Sequence, residues 1–292
     1  MRLTERIQVA ILKWIGGFSL RTIYRLSLFF YWLLKPFKLG FKRTIQINLS
    51  RCLPDLSPHA LAVLAKKIEL QTIWRMLEMP YFWFGKNQDN ALKQCFGEAD
   101  FKADYEKKGG VIVLVPHLGS WEMINCYVGS HYLSAALYKP FKKTYQEALL
   151  REARERYGTE MYPATLAGIK GLFGALKRGR AIGILPDHDP GDNGGEIVPF
   201  FGISANTTTL IAKLAAKSRA PIYFVFAERL PRGEGFQMHF VKGGAALSDP
   251  DLKCAATALN TEISNLIACY PEQYEWSYKR FRRTPWQGGK FY

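Results

Sequence analysis

Cysteine is scarce in this chain of 292 residues, and its placement excludes two kinds of small cross-linked protein. The five cysteines are widely spaced, and none belongs to a C-x-x-C pair: Cys52, Cys95, Cys126, Cys254 and Cys269. The sequence therefore predicts neither a disulfide framework nor a zinc ribbon, and it favours a reducing, cytoplasm-facing setting. Charged residues are also few, at 22% against 48% hydrophobic residues, which excludes a disordered chain.

Several sequence signatures of enzymes and metal sites are missing as well. The chain has no G-x-S-x-G elbow, no Walker A loop and no G-x-G-x-x-G turn. An elbow-type serine hydrolase, a P-loop NTPase and a Rossmann dehydrogenase are therefore unsupported. Neither H-E-x-x-H nor EF-hand spacing occurs, so we predict no metal ion and no cofactor.

Acidic residues are outnumbered, because 25 Asp and Glu stand against 40 Lys and Arg, which gives a net charge of +15. Nucleic acid, an anionic membrane and an acidic protein are all attracted by such a charge. The excess is concentrated at the two ends of the chain. The first 50 residues contain nine basic residues and one acid, and the tail from Lys279 contains five basic residues and no acid.

The basic N-terminal segment is also strongly apolar, which separates it from the polar arms that bind nucleic acid. A basic helix that carries Trp, Phe and Leu is typical of a helix lying in a membrane interface. The longest uncharged run in this segment, Leu26–Leu34, has nine residues, whereas a membrane span needs about 20. A tilted span and a helix packed on the protein core are the alternatives, and the charges within the apolar stretch argue against a signal peptide.

From about residue 109 the pattern alternates between strands and helices. Buried or alternating apolar runs predict strands at 111–115, 134–138, 181–185, 221–227 and, as an edge strand, 236–241, with helices at 144–157, 166–178, 206–217 and 250–270. The alternation predicts an α/β fold with a mostly parallel central sheet flanked by helices. We expect a membrane-anchoring helical region over 1–50, an α/β domain over 105–292, and between them a helical segment over 51–104 packed on the α/β domain.

A histidine and a glutamate follow the first predicted strand. His117 lies just past its carboxyl end, where open α/β sheets place their sites, and Glu122 follows five residues later. If a helix begins near Gly119 or Ser120, Glu122 lies in its first turn and can hydrogen-bond one nitrogen of the ring. The other nitrogen is then free to act as a base towards a substrate hydroxyl. A histidine that is only hydrogen-bonded and structural is the alternative.

A second polar loop, with the sequence P-D-H-D-P-G-D-N-G-G, follows the strand at 181–185 and covers 186–195. Its glycines and asparagine permit tight turns. Because this loop also leaves the end of a strand, we predict that it forms one cleft with the loop that carries His117. A solvated loop capped by its own aspartates is the alternative.

Taken together, these segments resemble known acyltransferases. The sequence H-L-G-S-W-E over 117–122 resembles the H-x4-D/E signature of glycerolipid-type acyltransferases. Its glutamate, with P-D-H-D at 186–189, V-P-F-F-G at 198–202 and P-E-Q-Y-E-W at 271–276, is similar more narrowly to the bacterial lipid A late acyltransferases, of the lauroyl and myristoyl type. The ordered blocks extend over most of 105–285. The first 100 residues match only as a hydrophobic, basic anchor.

The resemblance implies an enzyme that moves a fatty acyl chain from acyl carrier protein to a hydroxyl of a lipid A precursor, at the cytoplasmic face of the inner membrane. It implies that His117 is the general base and that Glu122 orients it. It also implies substrate contacts for four residues: Lys139, Asp187, Asp189 and Arg280. The expected partners are acyl carrier protein, anionic membrane lipid and a phosphorylated glycolipid acceptor, and not nucleic acid. Backbone N–H groups near Gly119, or a nearby cation, are expected to stabilise the oxyanion.

Two other functions are considered. One is acylation of a different membrane acceptor, such as a glycosylated phosphoinositide, an ornithine lipid or a lysophospholipid. The other is non-catalytic binding to a membrane or to nucleic acid. Glu122 and the P-D-H-D loop favour lipid A, because enzymes that act on lysophospholipids more typically carry aspartate and a P-E-G loop.

Overall fold

The computed structural model describes residues 3–86, 88–107, 109–140, 144–192, 194–284 and 291–292. The helices are α1 (Leu3–Gly16), α2 (Leu20–Leu34), α3 (Gly40–Cys52), α4 (Pro58–Phe84), α5 (Glu98–Glu106), α6 (Trp121–His131), α7 (Thr144–Glu155), α8 (Leu166–Lys177), α9 (Leu210–Ser218) and α10 (Leu252–Cys269). The strands are β1 (Leu92–Phe96), β2 (Val111–Leu114), β3 (Ser134–Tyr138), β4 (Glu160–Pro163), β5 (Ala181–Ile184), β6 (Gly195–Phe200), β7 (Ile203–Thr208), β8 (Ile222–Arg229) and β9 (Phe236–Lys242).

Seven of these strands form one central sheet in the order β1-β9-β8-β2-β5-β3-β4. Every neighbouring pair is parallel except β8 and β9. Helices cover both faces, and β2 divides its side chains between them. Ile112 and Leu114 join the apolar core on the side of α3, α8, α9 and α10, whereas Val111 and Val113 join the core on the side of α5 and α6. The predicted α/β fold with a mostly parallel, helix-flanked sheet is confirmed.

Two details of the predicted elements are wrong. The helix expected over 206–217 begins only at Leu210, because its first residues belong to β7, which pairs with β6 in an antiparallel hairpin. The β-branched residues in this stretch form a strand, and Asn206 serves as a side-chain donor rather than as a helix cap. The strand expected at the sheet edge, β9, lies between β1 and β8. The edge strand next to β9 is β1, and β4 forms the other edge; the sequence pattern revealed neither.

The first four helices pack on one another, with α4 in contact with α1, α2 and α3. Ser19 and Ser57 cap α2 and α4 by accepting backbone N–H bonds, and Pro58 occupies the start of α4, where its missing N–H costs nothing. Gly16 permits a close approach of α1 to α4, because a Cβ there would lie 2.4 Å from the carbonyl oxygen of Pro80. Among the described residues, no helix has both the length and the apolar character to cross a bilayer.

Parallel pairing determines where the polar loops meet. Strands β2, β3, β5 and β8 are parallel neighbours, so their carboxyl ends lie along one edge of the sheet. His117 follows β2, Asp187 follows β5 and Lys139 follows β3. The fold therefore brings loops 70 residues apart in sequence together at one edge of the sheet, where open α/β sheets form their clefts, and we call it the cleft edge.

Candidate active site

A tight turn carries His117 from the end of β2 to the start of α6. Gly119 adopts a φ of +67°, and a Cβ at this position would lie 2.0 Å from the carbonyl oxygen of Ala227 in β8. The next N–H, from Ser120, donates to that same oxygen at 2.8 Å. Only glycine accommodates both the left-handed backbone and this close approach. The turn is therefore anchored on β8, and α6 begins at Trp121 directly after it.

The C-terminal segment closes over the same turn. The N–H of Gly119 donates to the carbonyl oxygen of Gln273 at 3.1 Å, and the N–H of Glu275 donates to the carbonyl oxygen of His117 at 3.0 Å. Residues 273–275 thus pair with the turn through their backbone, much as a short strand does. The C-terminal block at 271–276 therefore has a structural role, because its backbone fixes the loop that carries His117.

Asp187 holds the His117 ring. The backbone N–H of His117 donates to Oδ2 of Asp187 at 2.9 Å, and Nδ1 of the ring lies 2.8 Å from Oδ1. Burial alone would raise the pKa of Asp187, but the charge and the hydrogen bonds of His117 lower it well below the usual range. An ionised carboxylate only accepts hydrogen bonds, so Nδ1 carries the proton and Nε2 of the neutral ring presents a lone pair. Asp187 thereby sets the tautomer of a base.

Glu275 faces the other side of the ring. Its Oε2 lies 3.8 Å from Nε2 of His117 and 3.4 Å from Nε2 of His188. Arg75, from α4, donates to Oε1 of Glu275 at 2.8 Å. His188 stacks between the rings of His117 and Tyr278, with ring centroids 3.7 Å apart on both sides. The base is therefore enclosed by two carboxylates, one guanidinium and an aromatic stack.

The charges of this cluster make His117 a stronger base. Burial opposes charge on the ring, but the carboxylates of Asp187 and Glu275 outweigh burial and raise the pKa of His117. Burial and the neighbouring His117 lower the pKa of His188. Burial alone would raise the pKa of Glu275, but Arg75 and the two histidines lower it to about 2. His117 is thus a stronger base than His188, and the carboxylates of Asp187 and Glu275 stay ionised.

The same residues fit a metal ion poorly. His117, His188 and Glu275 offer ligand atoms within 4.8 Å of one another, and two imidazoles with a carboxylate can bind zinc. However, an imidazole binds a metal in the plane of its ring. The two ring planes are 4° from parallel with centroids 3.7 Å apart, so an ion in one plane lies far above the other. The arrangement suits proton transfer better than metal coordination.

Glu122 contacts a different partner from the one that the sequence pattern led us to expect. It is buried in the first turn of α6, and Arg154 of α7 donates to its Oε1 at 2.6 Å and to its Oε2 at 3.3 Å. This is a two-pronged guanidinium–carboxylate pair of the strong kind. Nδ1 of His117 donates its hydrogen bond to Asp187 instead, as described above. Glu122 therefore holds α6 against α7 beside the cleft.

The three remaining predicted site residues lie in different surroundings. Lys139 is exposed at the carboxyl end of β3, on the cleft edge of the sheet. The Asp189 carboxylate accepts hydrogen bonds from the Gly191 N–H, from Asn206 and from two arginines of the tail. Arg280 is buried and donates to the carbonyl oxygen of Asn206 and, at 2.8 Å, to the side-chain oxygen of Thr207. Lys139 faces solvent, whereas Asp189 and Arg280 tie the C-terminal segment to the loop and the β6–β7 hairpin.

Two backbone groups that were expected to stabilise an oxyanion already have partners. The N–H of Gly119 donates to Gln273, and that of Ser120 donates to Ala227. The Ser120 side chain differs, because its hydroxyl is buried without a hydrogen-bond partner among the described residues. The contacts therefore do not favour these two N–H groups as oxyanion donors.

Sequence reasoning missed Arg75, Glu275 and the stacking role of His188. Glu275 belongs to the C-terminal block that was quoted for its resemblance, but nothing local marked it as a neighbour of His117. Arg75 lies inside the predicted helical segment over 51–104, where a buried arginine carries no periodic signal of its own. One signal was available for both residues. Each is a charged residue in an otherwise apolar or aromatic segment, and a charge that is buried there requires a partner.

Comparisons with known proteins show what the chain as a whole is similar to. The model of the bacterial lipid A biosynthesis acyltransferase family matches residues 2–283. The lipid A biosynthesis lauroyltransferase of Escherichia coli (strain K12) is 25% identical over 245 residues, which cover 83% of this chain and 79% of that protein. The palmitoleoyltransferase of the same organism is 25% identical over 258 residues, covering 86% and 82%. Its myristoyltransferase is 24% identical over 261 residues, covering 82% and 74%.

Proposed function

Because this chain belongs to the bacterial lipid A biosynthesis acyltransferase family, we propose that it transfers a fatty acyl chain from an acyl carrier protein thioester to a hydroxyl of a lipid A precursor. The family makes the chain an acyltransferase of lipid A biosynthesis, and the donor and the residue roles are the proposal. The observation that carries it is the His117 ring, whose Nδ1 contacts Asp187 and whose Nε2 carries the lone pair. A base without an enzyme nucleophile suits attack by a substrate hydroxyl.

The proposed reaction proceeds in two steps at His117. Nε2 takes the proton of the acceptor hydroxyl while its oxygen attacks the thioester carbonyl and forms a tetrahedral intermediate. That intermediate collapses, the carbon–sulfur bond breaks, and the leaving thiolate takes the proton back from Nε2. Asp187 keeps Nδ1 protonated and stabilises the imidazolium between the two steps, as the triad carboxylate does in serine hydrolases. No acyl-enzyme intermediate is formed.

The role of Glu122 as a residue that acts on His117 stays a prediction. Its pair with Arg154 supports an indirect contribution, in which α6 and the preceding turn are held in place. Glu122→Gln keeps the shape of the side chain and weakens the pair. We expect this variant to lose less activity than Asp187→Asn, because it leaves the Nδ1 hydrogen bond intact.

We propose different roles for the other predicted residues, because they differ in exposure and in their protein partners. Lys139 is exposed on the cleft edge, which supports contact of its ammonium with an acceptor phosphate. Asp189 and Arg280 are satisfied by protein partners, which supports a part in shaping the cleft wall. We expect Lys139→Ala to raise KM for the acceptor without a matching fall in kcat, because the contact is distant from the bond that is made.

We further propose that the region over 1–50 docks on an anionic membrane, at the cytoplasmic face of the inner membrane. Four large apolar residues of α1 are exposed at spacings of four, four and three, and therefore share one helix face: Leu3, Ile7, Ile11 and Trp14. A second exposed group lies on α2 and just after it: Phe29, Trp32, Leu33 and Phe37. Basic residues accompany both groups, and Lys35 Nζ lies 4.5 Å from the Trp32 ring. Apolar faces beside cations are typical of interfacial helices.

Flotation with vesicles tests the docking surface. The full chain is mixed with vesicles that contain anionic phospholipid, and Trp14→Glu and Trp32→Glu are compared with Leu166→Glu. Leu166 is a matched control, because it is 72% exposed on α8, outside the N-terminal region. We expect both tryptophan variants to reduce the floated fraction several-fold and the control to float like the wild type. Equal flotation of all four proteins contradicts the docking proposal.

An in vitro transfer assay tests the chemistry. Purified protein is incubated with an acyl carrier protein thioester and a lipid A precursor, and mass spectrometry follows the precursor. We expect a mass increase of one acyl chain and release of free carrier thiol. Because the carrier is acidic and this chain carries +15, higher salt should raise KM for the donor. A precursor that stays unmodified, or acylation of a lysophospholipid instead, contradicts the proposal.

A further inference from the structure

The side chain of Glu275 lies beside the His117 ring, which a role in backbone pairing alone does not require. Its carboxylate faces the two stacked histidines, with Oε2 3.4 Å from Nε2 of His188 and 3.8 Å from Nε2 of His117. The distance to His117 is too long for a direct hydrogen bond. The backbone N–H of Glu275 donates to the carbonyl oxygen of His117. This bond holds the backbone of Glu275, and with it the carboxylate, next to His117.

Arg75 fixes the orientation of this carboxylate. It is 6% exposed on α4, its Nη2 donates to Oε1 of Glu275, and its guanidinium lies 5.3 Å from the ring of Trp121. The Trp121 ring in turn packs against the His117 ring, with centroids 5.1 Å apart. Arg75 is thus clamped between a carboxylate and an indole, and Oε2 of Glu275 is left facing the histidines.

The charges around the His117 ring determine how easily it is protonated. Asp187 and Glu275 carry one negative charge each, and Arg75 carries one positive charge. With a neutral His117 the cluster therefore has a net charge of −1, and protonation of the ring brings it to zero. Fixed charges that favour the charged form of a buried group are the usual means of electrostatic catalysis.

We propose that Glu275, held by Arg75, is a positioning residue that stabilises the imidazolium formed when His117 deprotonates the acceptor hydroxyl. This inference rests on the function proposed above. It assigns the C-terminal block a part in the chemistry, in addition to its backbone pairing with the turn. It also explains why a buried arginine of α4 lies beside the cleft.

Other titratable groups near the ring do not supply the same charge. His188 stacks on His117 and is not negatively charged in either protonation state, and burial and the neighbouring ring lower its pKa. Tyr274 is buried and stays neutral, because burial raises its pKa. Arg280 donates its hydrogen bonds to Thr207 and to the backbone of Asn206. Glu275 is therefore the carboxylate that faces Nε2.

The test uses the pH dependence of kcat/KM, whose acidic limb reports the pKa of the base in the free enzyme. Glu275→Gln removes the negative charge and leaves Arg75, so protonation of His117 becomes harder. We expect the acidic limb to move about one pH unit lower and kcat at the optimum to fall about tenfold or more. Arg75→Gln makes the cluster more negative, so we expect its acidic limb to move to higher pH.

The double variant Arg75→Gln/Glu275→Gln separates electrostatics from folding. It restores a net charge of −1 with a neutral ring, so we expect its limb to return towards that of the wild type and its kcat to exceed that of Glu275→Gln. Two lost structural contacts would instead make the double variant worse than either single one. Glu160→Gln is the matched control, because Glu160 forms ion pairs with Arg178 and Arg180 away from the cleft edge. The acidic limb of the pH profile of Glu160→Gln should stay where it is in the wild type.

His117→Ala is measured alongside, so that two kinds of failure can be told apart. If His117→Ala is inactive but no Arg75 or Glu275 variant shifts the limb, the role of Glu275 is refuted and the proposed base survives. If His117→Ala keeps near-normal transfer, the proposed function of the site fails first. Shifts of opposite sign in the two single variants, with recovery in the double variant, support the inference.

Discussion

The turn that carries His117 leaves no room for a side chain at Gly119, and this gives a sharp prediction. In Gly119→Ala, the new Cβ would lie 2.0 Å from the carbonyl oxygen of Ala227, although ordinary contact begins near 3.4 Å. The turn or β8 must therefore move by more than 1 Å. Reacting groups displaced by about 1 Å can lose about 100-fold in rate. Because His117 lies two residues before this glycine, we expect a fall in kcat of that order.

The same substitution should also destabilise the fold. A left-handed backbone at a residue with a Cβ costs about 1–2 kcal/mol, and overpacking costs about 1–3 kcal/mol more. Gly202→Ala is the matched control. Its φ is +76°, but a Cβ there meets no heavy atom of the described residues within 4 Å. We expect a loss in unfolding free energy of about 2–5 kcal/mol for Gly119→Ala and about 1–2 kcal/mol for Gly202→Ala.

Denaturant unfolding and the acyl transfer assay measure the two effects on the same samples. The control should lose stability while keeping a kcat near that of the wild type. If Gly119→Ala matches Gly202→Ala in both stability and kcat, the clash with β8 does not position the histidine, and the reasoning about this turn is refuted.

Three further predictions concern the loop at 186–195 and the partners of the base. Asp187→Asn should lower kcat about 10²- to 10⁴-fold with a normal circular dichroism spectrum, because the ring loses the acceptor that sets its tautomer; unchanged kcat contradicts this role. Glu122→Gln should lose less than Asp187→Asn when both are assayed in parallel, and the reverse order would restore Glu122 as the residue that orients the ring. Burial alone would raise the pKa of Asp189, but the Gly191 N–H, Arg283, Asn206 and Arg282 outweigh burial and lower it to about 2. Because a lowered pKa stabilises the fold above the ordinary value near 3.8, denaturant unfolding should find Asp189→Asn less stable than the wild type at pH 6, with the gap closing as pH falls towards 2; a gap that is the same at both pH values contradicts this.

Local patterns in the sequence identified the part of the site that lies at strand ends. The apolar run at 111–115 predicted β2, and His117 directly after it was an expected site residue. The aspartates after β5 were expected in the same cleft for the same reason. Parallel neighbours align their carboxyl ends, so a correct sheet prediction is enough to bring these loops together.

The partners of His117 could not be read from spacing. The five-residue spacing suggested Glu122, yet the carboxylate that accepts the hydrogen bond of Nδ1 belongs to Asp187, 70 residues away. Which carboxylate reaches Nδ1 depends on how the Gly119 turn aims the ring, and that turn is set by contacts with β8 and residue 273. Arg75 and Glu275 meet through packing of α4 against the C-terminal segment, and such long-range contacts have no periodic signature.

The assignment of His117 as the general base is tested most directly by the rate of acyl transfer in His117→Ala. His131→Ala is the matched control, because His131 is exposed at the end of α6. Both proteins are assayed with an acyl carrier protein thioester and a lipid A precursor after circular dichroism has established that each is folded. The account predicts a fall in kcat of about 10²- to 10⁴-fold for His117→Ala and a near-normal kcat for His131→Ala. A kcat for His117→Ala within a few-fold of the wild type would contradict it.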